Sequence, residues 1–288
     1  MPANLGADPR DVLADLHSHS MISDGTLRPA ELVTRAHDQG VELFALTDHD
    51  EVAGLDEAVA TASRLGLRFV SGVEVSVTWG GTTLHIIGLG INEHDPGLKE
   101  RLAEVRAGRI RRAEEMGEQL SRVGIDGAFE GALVYAGNPQ MISRTHFARY
   151  LVETGHCRDV KDVFSRYLVE GKPGFVTHAW AALDEAVDMI RDAGGVAVVA
   201  HPGRYKLNEL ALHTLLGEFR ELGGTGIEVA TSNHSERDMR RFADLAREFG
   251  FEASGGSDFH GPGESDNVEL GRVARLPADL TPVWHRFV

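Results

Sequence analysis

The stretch Asp15-Leu16-His17-Ser18-His19 stands where a short apolar strand, Val12 to Leu16, is expected to end. Side chains at positions i and i+2 of an extended segment point to the same side, so both imidazoles can reach one ion. In a chain of 288 residues with 14 histidines, an isolated His-x-His pair is a weak indication. Its meaning depends on whether the rest of the chain repeats the arrangement.

Four more clusters of ionisable residues follow short apolar stretches. The clusters are Thr47 to Asp50, Gly72 to Ser76, Ala200 to Gly203 and Gly255 to His260, and the stretches before them are Val41 to Leu46, Leu67 to Val70, Val196 to Val199 and Phe251 to Ser254. The stretches are continuous rather than alternating, which is typical of buried parallel strands. The ionisable residues are therefore expected at the carboxyl ends of strands.

Helical patterns lie between these strands. They are Pro29 to Gln39, Leu55 to Leu65, Leu183 to Ala193 and Glu236 to Phe249. The alternation predicts a parallel β/α sheet, in which functional groups gather at the carboxyl ends of the strands. Because clusters follow the first and last strands alike, a closed barrel is favoured over an open sheet, whose edges lie far apart. His17 and His260 can then share one site.

The alternation stops between about residues 95 and 172. Helical patterns over Leu98 to Val123, Arg144 to Glu153 and Val160 to Val169 have no strand between them. We therefore divide the chain into a first barrel part, residues 1–94, a helical insertion, residues 95–175, and a second barrel part, residues 176–288. The insertion is expected to cap the mouth of the barrel, and packing on its outside is the alternative.

Composition and charge narrow the class of protein. The chain has 42% hydrophobic and 25% charged residues, which is ordinary globular usage. It has no apolar run near the length of a membrane span, and residues 1–10 lack an export signal, so we predict a cytoplasmic protein. The net charge of −15 argues against duplex DNA and anionic membranes as partners. A small anionic substrate fits if metal ions concentrate positive charge locally.

Ligand chemistry predicts divalent metal ions. Ions such as Mn²⁺ accept mixed carboxylate and imidazole sites, and a carboxylate can bridge two ions, which makes Glu74 the natural bridge. The candidate sets are His17, His19 and Asp258 on one ion, Asp24, His49 and His260 on a second, and His85 and His201 with Glu74 on a third. Of these, His85 has the weakest local pattern, because a histidine in an apolar strand is more often a core residue.

Other polar residues are candidates for supporting roles. Asp15 and Asp48 are expected to orient ligand histidines, while Glu228 and His234 have no assigned role. The candidate phosphate-binding residues are Arg144, Thr145, His146, Lys172 and Arg204. For each one alone, a solvated surface position is the more frequent role. Phe147, Tyr150 and Tyr205 are candidates for stacking on a base, although core positions are more frequent for aromatic residues, and the single cysteine, Cys157, is expected to be structural.

Taken together, the motifs resemble the PHP (polymerase and histidinol phosphatase) family of metal-dependent phosphoesterases. The motifs are DLHSHS (15–20), SDG (23–25), TDHD (47–50), GVEVS (72–76), LHIIGLG (84–90), AHPGRY (200–205) and GSDFH (256–260). The resemblance covers nearly the whole chain and implies a distorted seven-stranded β/α barrel with two to three metal ions, Mn²⁺ first and Zn²⁺ or Fe²⁺ as alternatives. It also implies that all nine candidate ligands, His85 included, bind metal.

The insertion narrows the resemblance further. NPQMISRTHFARYLVETG (138–155) and YLVEGKPGFVTH (167–178), with AHPGRY, are similar to the branch that acts as a 3′,5′-nucleoside bisphosphate phosphatase. This implies conversion of the bisphosphate to a nucleoside 5′-monophosphate and orthophosphate by a metal-bound hydroxide, with no protein nucleophile and no assigned general acid.

Three alternatives remain at this stage. Related members resemble 5′→3′ exoribonucleases on short RNA, and others resemble histidinol phosphatase or another small phosphomonoesterase. A catalytically silent PHP module that supports a protein partner is the non-enzymatic alternative. The complete ligand set speaks against it, as does the expectation that the chain has no second large domain, and no obligate protein partner is evident.

Overall fold

Seven strands form one sheet in a computed structural model that describes residues 12–264 and 268–288. They follow chain order as β1 (Ala14–Asp15), β2 (Leu43–Leu46), β3 (Arg68–Trp79), β4 (Thr82–Leu89), β5 (Val196–Val199), β6 (Gly226–Thr231) and β7 (Glu252–Gly256). The Leu16 N–H donates to the Gly255 carbonyl at 3.1 Å, and Ser18 pairs with Phe259 in parallel. The first and last strands therefore meet, which confirms the expected distorted seven-stranded barrel.

One strand runs against the others. Strand β4 is antiparallel to both β3 and β5, whereas the remaining neighbours are parallel. The hairpin between β3 and β4 contains Gly80 and Gly81, with φ of 54° and 78°, a conformation that side chains disfavour. The expectation of a wholly parallel sheet was wrong, because this short glycine turn leaves no chain for the crossover helix that a parallel connection requires.

Ten α-helices accompany the strands within the described residues. They are α1 (Pro29–Asp38), α2 (Leu55–Leu65), α3 (Pro96–Arg106), α4 (Arg109–Ser121), α5 (Ala128–Leu133), α6 (Arg144–Glu153), α7 (Val160–Val163), α8 (Leu183–Asp192), α9 (Glu209–Glu221) and α10 (Glu236–Phe249). Local sequence sets several ends: Pro29 opens α1, and Gly250, with φ of 69°, closes α10. No described helix has the length and apolarity to cross a membrane.

Two apolar cores contain the helices, and a third cluster joins strand residues to Val283 and Trp284. The main core joins the strands to α1, α2, α3, α8, α9 and α10 and includes Phe44, Phe219 and Phe242, which are fully buried. Helices α3 to α7 lie between β4 and β5 in sequence, and the second core is built on α4 to α7 around Phe147 and the buried Cys157. The boundaries at residues 95 and 175 stay a prediction, and residues 1–11, including the stretch searched for an export signal, lie outside the described part.

The insertion differs from expectation at two places. The single helix expected over Leu98 to Val123 was wrong, because the chain breaks at Gly108 into α3 and α4. A Cβ at Gly108 would lie 2.2 Å from Cε1 of His178, so the missing side chain admits the imidazole against the backbone. The helix expected over Val160 to Val169 is the short α7 followed by a π-helical turn, Phe164–Leu168.

Candidate metal centre

The barrel gathers the nine candidate ligands at one end. They lie after β1 (His17, His19 and Asp24), after β2 (His49), within β3 and β4 (Glu74 and His85), after β5 (His201) and after β7 (Asp258 and His260). Among the described residues other than glycine, three have positive φ: Asp50, His201 and Asp258. Two of the three are candidate ligands, and such strained backbone at strand ends is typical of functional sites.

Glu74 lies at the centre of the cluster and is fully buried. Its Oε2 lies 2.9 Å from His49 Nδ1, 3.2 Å from His19 Nε2 and 3.3 Å from His17 Nε2. Its Oε1 lies 3.0 Å from His85 Nδ1 and 2.9 Å from His201 Nε2. The two oxygens of one carboxylate thus face two sets of imidazoles, which is the geometry of a bridging ligand.

The imidazoles of His17 and His19 converge on the carboxylate of Asp258. The Nε2 atoms of His17 and His19 are 3.2 Å apart. Asp258 Oδ1 lies 3.2 Å from His19 Nε2 and 3.5 Å from His17 Nε2. These distances bring His17, His19, Asp258 and Glu74 together, and a shared ion at this place stays a prediction.

A second group forms around Asp24. Its Oδ1 lies 3.3 Å from His260 Nε2 and 3.8 Å from His49 Nε2. One ligand atom from each of His19, Asp24, His49 and His260 falls within a span of 4.8 Å. His19 therefore borders this group as well as the first, so the sets overlap more than the sequence suggested.

The polar atoms of the cluster have the arrangement that cations require. Asp24 Oδ1, His49 Nδ1, Glu74 Oε2, His85 Nδ1 and Asp258 Oδ1 are buried and make no hydrogen bond within the described structure, although they lie close to one another. Buried polar atoms are nearly always hydrogen-bonded, so this set is exceptional. Carboxylate oxygens and imidazole nitrogens that lie this close together can be satisfied by a divalent ion, and the residues therefore fit a metal centre.

The pKa shifts of Glu74 and His19 agree with a metal centre at this position. Burial raises the pKa of the Glu74 carboxyl, but His85, His49 and His17 hold it well below its usual value. Burial lowers the pKa of His19, yet the Asp258 and Glu74 carboxylates raise it to about 10. The carboxyl is thus ionised, and the cluster favours a positive charge at this position.

His201 also faces the Glu74 carboxylate, but its pKa shifts in the opposite direction to that of His19. Burial, with the nearby Arg204 charge, lowers its pKa to about 4. Its imidazole is thus neutral near pH 7, and neutral imidazole is the form that ligates metal.

Glu228, which had no assigned role, supports two of these histidines. It is fully buried, its Oε1 lies 3.0 Å from His17 Nδ1, and its Oε2 accepts the backbone N–H of His201 at 2.5 Å. A carboxylate on the far nitrogen of a ligand imidazole fixes the ring and its tautomer. Its place in an apolar stretch that forms β6, beside the other strands that carry candidate ligands, was the sequence signal that pointed to it.

Asp15 and Asp48 hold backbone segments instead of imidazole rings. Asp15 accepts the N–H groups of Ser257 and Gly271 at 2.8 and 2.9 Å. Asp48 accepts the Ser20 N–H at 2.8 Å and the hydroxyls of Ser20 and Ser23, both at 2.6 Å. Their carboxylates bond to the loops that carry Asp258, His19 and Asp24, and the expectation that they orient ligand histidines stays a prediction.

A cavity of about 190 Å³ opens beside the cluster. Arg144, Thr145 and Arg204 line it, and Thr145 donates its hydroxyl to Asp24 Oδ2 at 3.1 Å, while Arg204 Nη2 lies 2.6 Å from Asp258 Oδ2. The other two candidates for phosphate binding do not line it. The His146 ring is buried and accepts the Ser143 N–H at 3.0 Å, and Lys172 is exposed.

Three further residues of the cavity had no predicted role. Arg109 and Arg112 on α4 and Trp180 line it beside the metal cluster. The spacing of three residues between the two arginines, which places them on one face of a helix, was the available signal. The proposed stacking residues take other positions: Phe147 is fully buried, and the Tyr205 hydroxyl accepts the His85 N–H at 2.9 Å and donates to the Ala200 carbonyl at 2.8 Å.

Comparison with known proteins agrees with the barrel and its cluster. A family model of the PHP domain matches residues 15–201, and the chain belongs to this family. A protein of Chromobacterium violaceum named 3′,5′-nucleoside bisphosphate phosphatase is 50% identical over 270 residues, which cover 94% of each chain. A 5′-3′ exoribonuclease of Haemophilus influenzae is 40% identical over 273 residues, covering 95% of this chain and 98% of the relative.

Solved structures share the same architecture. An amidohydrolase structure from Chromobacterium violaceum, with bound sulfate and no metal, has a TM-score of 0.93 and 49% identity, with 96% of each chain covered. A putative metal-dependent phosphoesterase from Bifidobacterium adolescentis has a TM-score of 0.81 and 27% identity, also with 96% of each chain covered. The whole described fold, insertion included, therefore falls within a group of proteins of similar length.

Proposed function

We propose that the protein is a metal-dependent phosphatase that removes the 3′-phosphate of nucleoside 3′,5′-bisphosphates. The products are a nucleoside 5′-monophosphate and orthophosphate. The observation that carries this proposal is the cluster of unbonded ligand atoms around Glu74, which opens into a cavity lined by arginines. The similarity to a relative that bears this name supports the choice of substrate.

The nine clustered residues would hold two to three divalent ions, with Mn²⁺ proposed first because the set mixes imidazoles and carboxylates. When bound, such ions activate water and neutralise phosphoryl oxygens. Arg204 and Thr145, at the edge of the cluster, are proposed to orient the reacting phosphate through hydrogen bonds. Trp180 and the insertion helices would limit access of bulk water to that phosphate.

The substrate class follows from charge and cavity size. A cavity of about 190 Å³ suits a phosphate and part of a sugar, which fits a small anionic nucleotide rather than a duplex. The net charge of −15 disfavours DNA and anionic membranes. We place the protein in the cytoplasm, because a nucleotide substrate is available there.

Hydrolysis of short RNA from the 5′ end is the second candidate function, supported by the similarity to exoribonucleases. The experiment is a panel on the protein loaded with Mn²⁺: a nucleoside 3′,5′-bisphosphate, AMP, histidinol phosphate and a 5′-phosphorylated tetranucleotide. We expect orthophosphate from the bisphosphate with the highest kcat/KM. Cleavage of the tetranucleotide without phosphate release from the bisphosphate would replace the phosphatase with the exoribonuclease.

A further inference from the structure

The hydroxyl of Tyr205 interrupts the sheet at the place where two candidate ligands meet. Strands β4 and β5 pair in antiparallel fashion, and the last pair of their register is Ile86 with Val199. One step further along this register, His85 lies opposite Ala200. The hydrogen-bonded pairs of a regular antiparallel ladder exchange two bonds, one from each N–H to the carbonyl of the other residue.

One of these two bonds is direct and the other is bridged. The Ala200 N–H donates to the His85 carbonyl at 3.1 Å. In the opposite direction, the Tyr205 hydroxyl accepts the His85 N–H at 2.9 Å and donates to the Ala200 carbonyl at 2.8 Å. An oxygen inserted between a donor and an acceptor keeps them farther apart than a direct bond of about 2.9 Å. The phenol therefore opens the ladder on this side.

Tyr205 reaches the ladder through a tight turn that begins at a candidate ligand. His201 has a φ of 23°, and the short 3₁₀-helix Pro202–Arg204 follows it. The Tyr205 N–H donates to the Pro202 carbonyl at 3.3 Å, and its ring packs on the main core. Strained backbone of this kind persists only where surrounding contacts fix it. The chain thus folds back from the end of β5 and returns the phenol to β4.

The opened pair carries two imidazoles that face one carboxylate oxygen. His85 Nδ1 lies 3.0 Å from Glu74 Oε1, and His201 Nε2 lies 2.9 Å from the same oxygen. The two ring centres are 5.3 Å apart, with their planes at 72°. His201 directly follows Ala200, so a direct bond from the His85 N–H to the Ala200 carbonyl would draw the two backbones together and change the spacing of these rings.

We propose that Tyr205 is a positioning residue for the ion that His85, His201 and Glu74 would hold. Its hydroxyl sets the spacing between β4 and β5, and thereby the spacing of the two imidazoles, without contact to the ion or the substrate. Tyr205 lies outside the set of described residues that line the cavity beside the cluster, which agrees with a role that acts through other residues. The inference rests on the metal centre of the proposed function and holds whichever phosphate ester that centre hydrolyses.

The test is Tyr205→Phe, which removes only the bridging oxygen. The His85 N–H and the Ala200 carbonyl then either stay unpaired or close on each other, and in both cases the imidazoles lose their spacing. We expect one Mn²⁺ ion to bind about 10- to 100-fold more weakly, the usual range for a lost group that orients a ligand, while the other ions stay within about threefold. Calorimetric titration of the metal-free protein with Mn²⁺ gives the number of ions and the affinity of each.

Two ligand variants identify the affected ion. His85→Ala and His201→Ala should each weaken the same ion that Tyr205→Phe weakens. In the His85→Ala background, Tyr205→Phe should cause no further loss of Mn²⁺ affinity, because the hydroxyl acts through that imidazole. A further loss as large as in the wild-type chain would overturn the positioning role, and so would an equal weakening of all ions.

A second tyrosine supplies the matched control. The Tyr167 hydroxyl accepts from Arg166 Nη2 at 2.9 Å within the insertion, so Tyr167→Phe should leave Mn²⁺ binding unchanged. If metal-free Tyr205→Phe does not fold, the ions are counted on protein folded in excess Mn²⁺, where we expect one ion fewer per chain than in the wild type. An equal count, or failure to fold even with Mn²⁺, would mean a general structural role and overturn the positioning role.

The titration needs no substrate, which separates this inference from the proposed function. If the wild-type protein binds Mn²⁺ but releases no phosphate from the bisphosphate, the proposed substrate fails, while the weakened ion in Tyr205→Phe still supports the positioning role. Unchanged Mn²⁺ binding in Tyr205→Phe, with an active wild-type phosphatase, overturns the positioning role alone. A raised KM with unchanged Mn²⁺ binding would overturn it too, because the hydroxyl would then contact the substrate. A wild-type protein that binds no Mn²⁺ would overturn both.

Discussion

Glu228→Gln tests how far the buried carboxylate of Glu228 organises the proposed metal centre. In the wild-type protein, each carboxylate oxygen has its own partner, the ring N–H of His17 at 3.0 Å and the backbone N–H of His201 at 2.5 Å. A glutamine has one oxygen and one NH₂ group, so it can accept only one of these two hydrogen bonds. The other N–H then faces a donor in a site that water does not reach.

The expected losses of unfolding free energy and of metal affinity follow from these two hydrogen bonds. One buried donor without an acceptor lowers the free energy of unfolding by about 1–3 kcal/mol. Loss of a carboxylate that orients a ligand imidazole weakens metal binding by about 10- to 100-fold. We therefore expect a larger dissociation constant for Mn²⁺, a comparable drop in kcat, and a loss of unfolding free energy of similar size. Glu228→Asp keeps the charge and should recover part of the affinity.

The assay is competition for Mn²⁺ against a chelating dye, together with urea unfolding of the metal-free protein. Glu248→Gln is the control, because it removes a largely exposed carboxylate near the end of α10 that pairs with His213 and not with a candidate ligand. A Glu228→Gln protein with wild-type metal affinity and kcat would refute the reasoning, since it would show that the His17 and His201 positions do not depend on this carboxylate. A loss of unfolding free energy alone would mean a purely structural role.

Three other predictions follow. Asp258→Asn should lower phosphate release by on the order of 100-fold or more with a folded protein, whereas a scaffold without activity would lose only thermal stability. Removal of metal with EDTA should stop turnover and lower the unfolding midpoint by roughly 5–10 °C, because the ions bind only the folded state. Added Mn²⁺ should restore both properties, and a midpoint unaffected by EDTA would contradict a tight metal site. Gly108→Ala should cost about 1–3 kcal/mol in urea unfolding through contact with His178, and His178→Ala in the same chain should recover most of it. If the double variant is no more stable than Gly108→Ala, this contact is not the cause.

The sequence determined much of the barrel, because buried strands and amphipathic helices are local patterns. The bounds expected for α6, Arg144 to Glu153, agree with the structure, and so does the start of α1 at its proline. The reversed β4 was missed, because a two-residue glycine turn replaces a crossover helix only when the neighbouring strands accept it. The break at Gly108 was missed for a similar reason, since it depends on His178, 70 positions away in the chain.

The candidate ligands were visible in the sequence, because each lies in or just after a strand and metal chemistry restricts the residue types. Only the tertiary structure decided which nitrogen faces which oxygen, so it alone showed that Glu74 divides its two oxygens between two sets of imidazoles. The tertiary structure also decided the roles of Glu228 and Arg112, because both depend on how the elements pack. Glu228 supports His17 because β6 lies next to β7 and the barrel closes onto β1, and Arg112 borders the cavity because α4 lies over the barrel mouth. Distances between residues more than 200 positions apart depend on how the sheet closes, which no local pattern encodes.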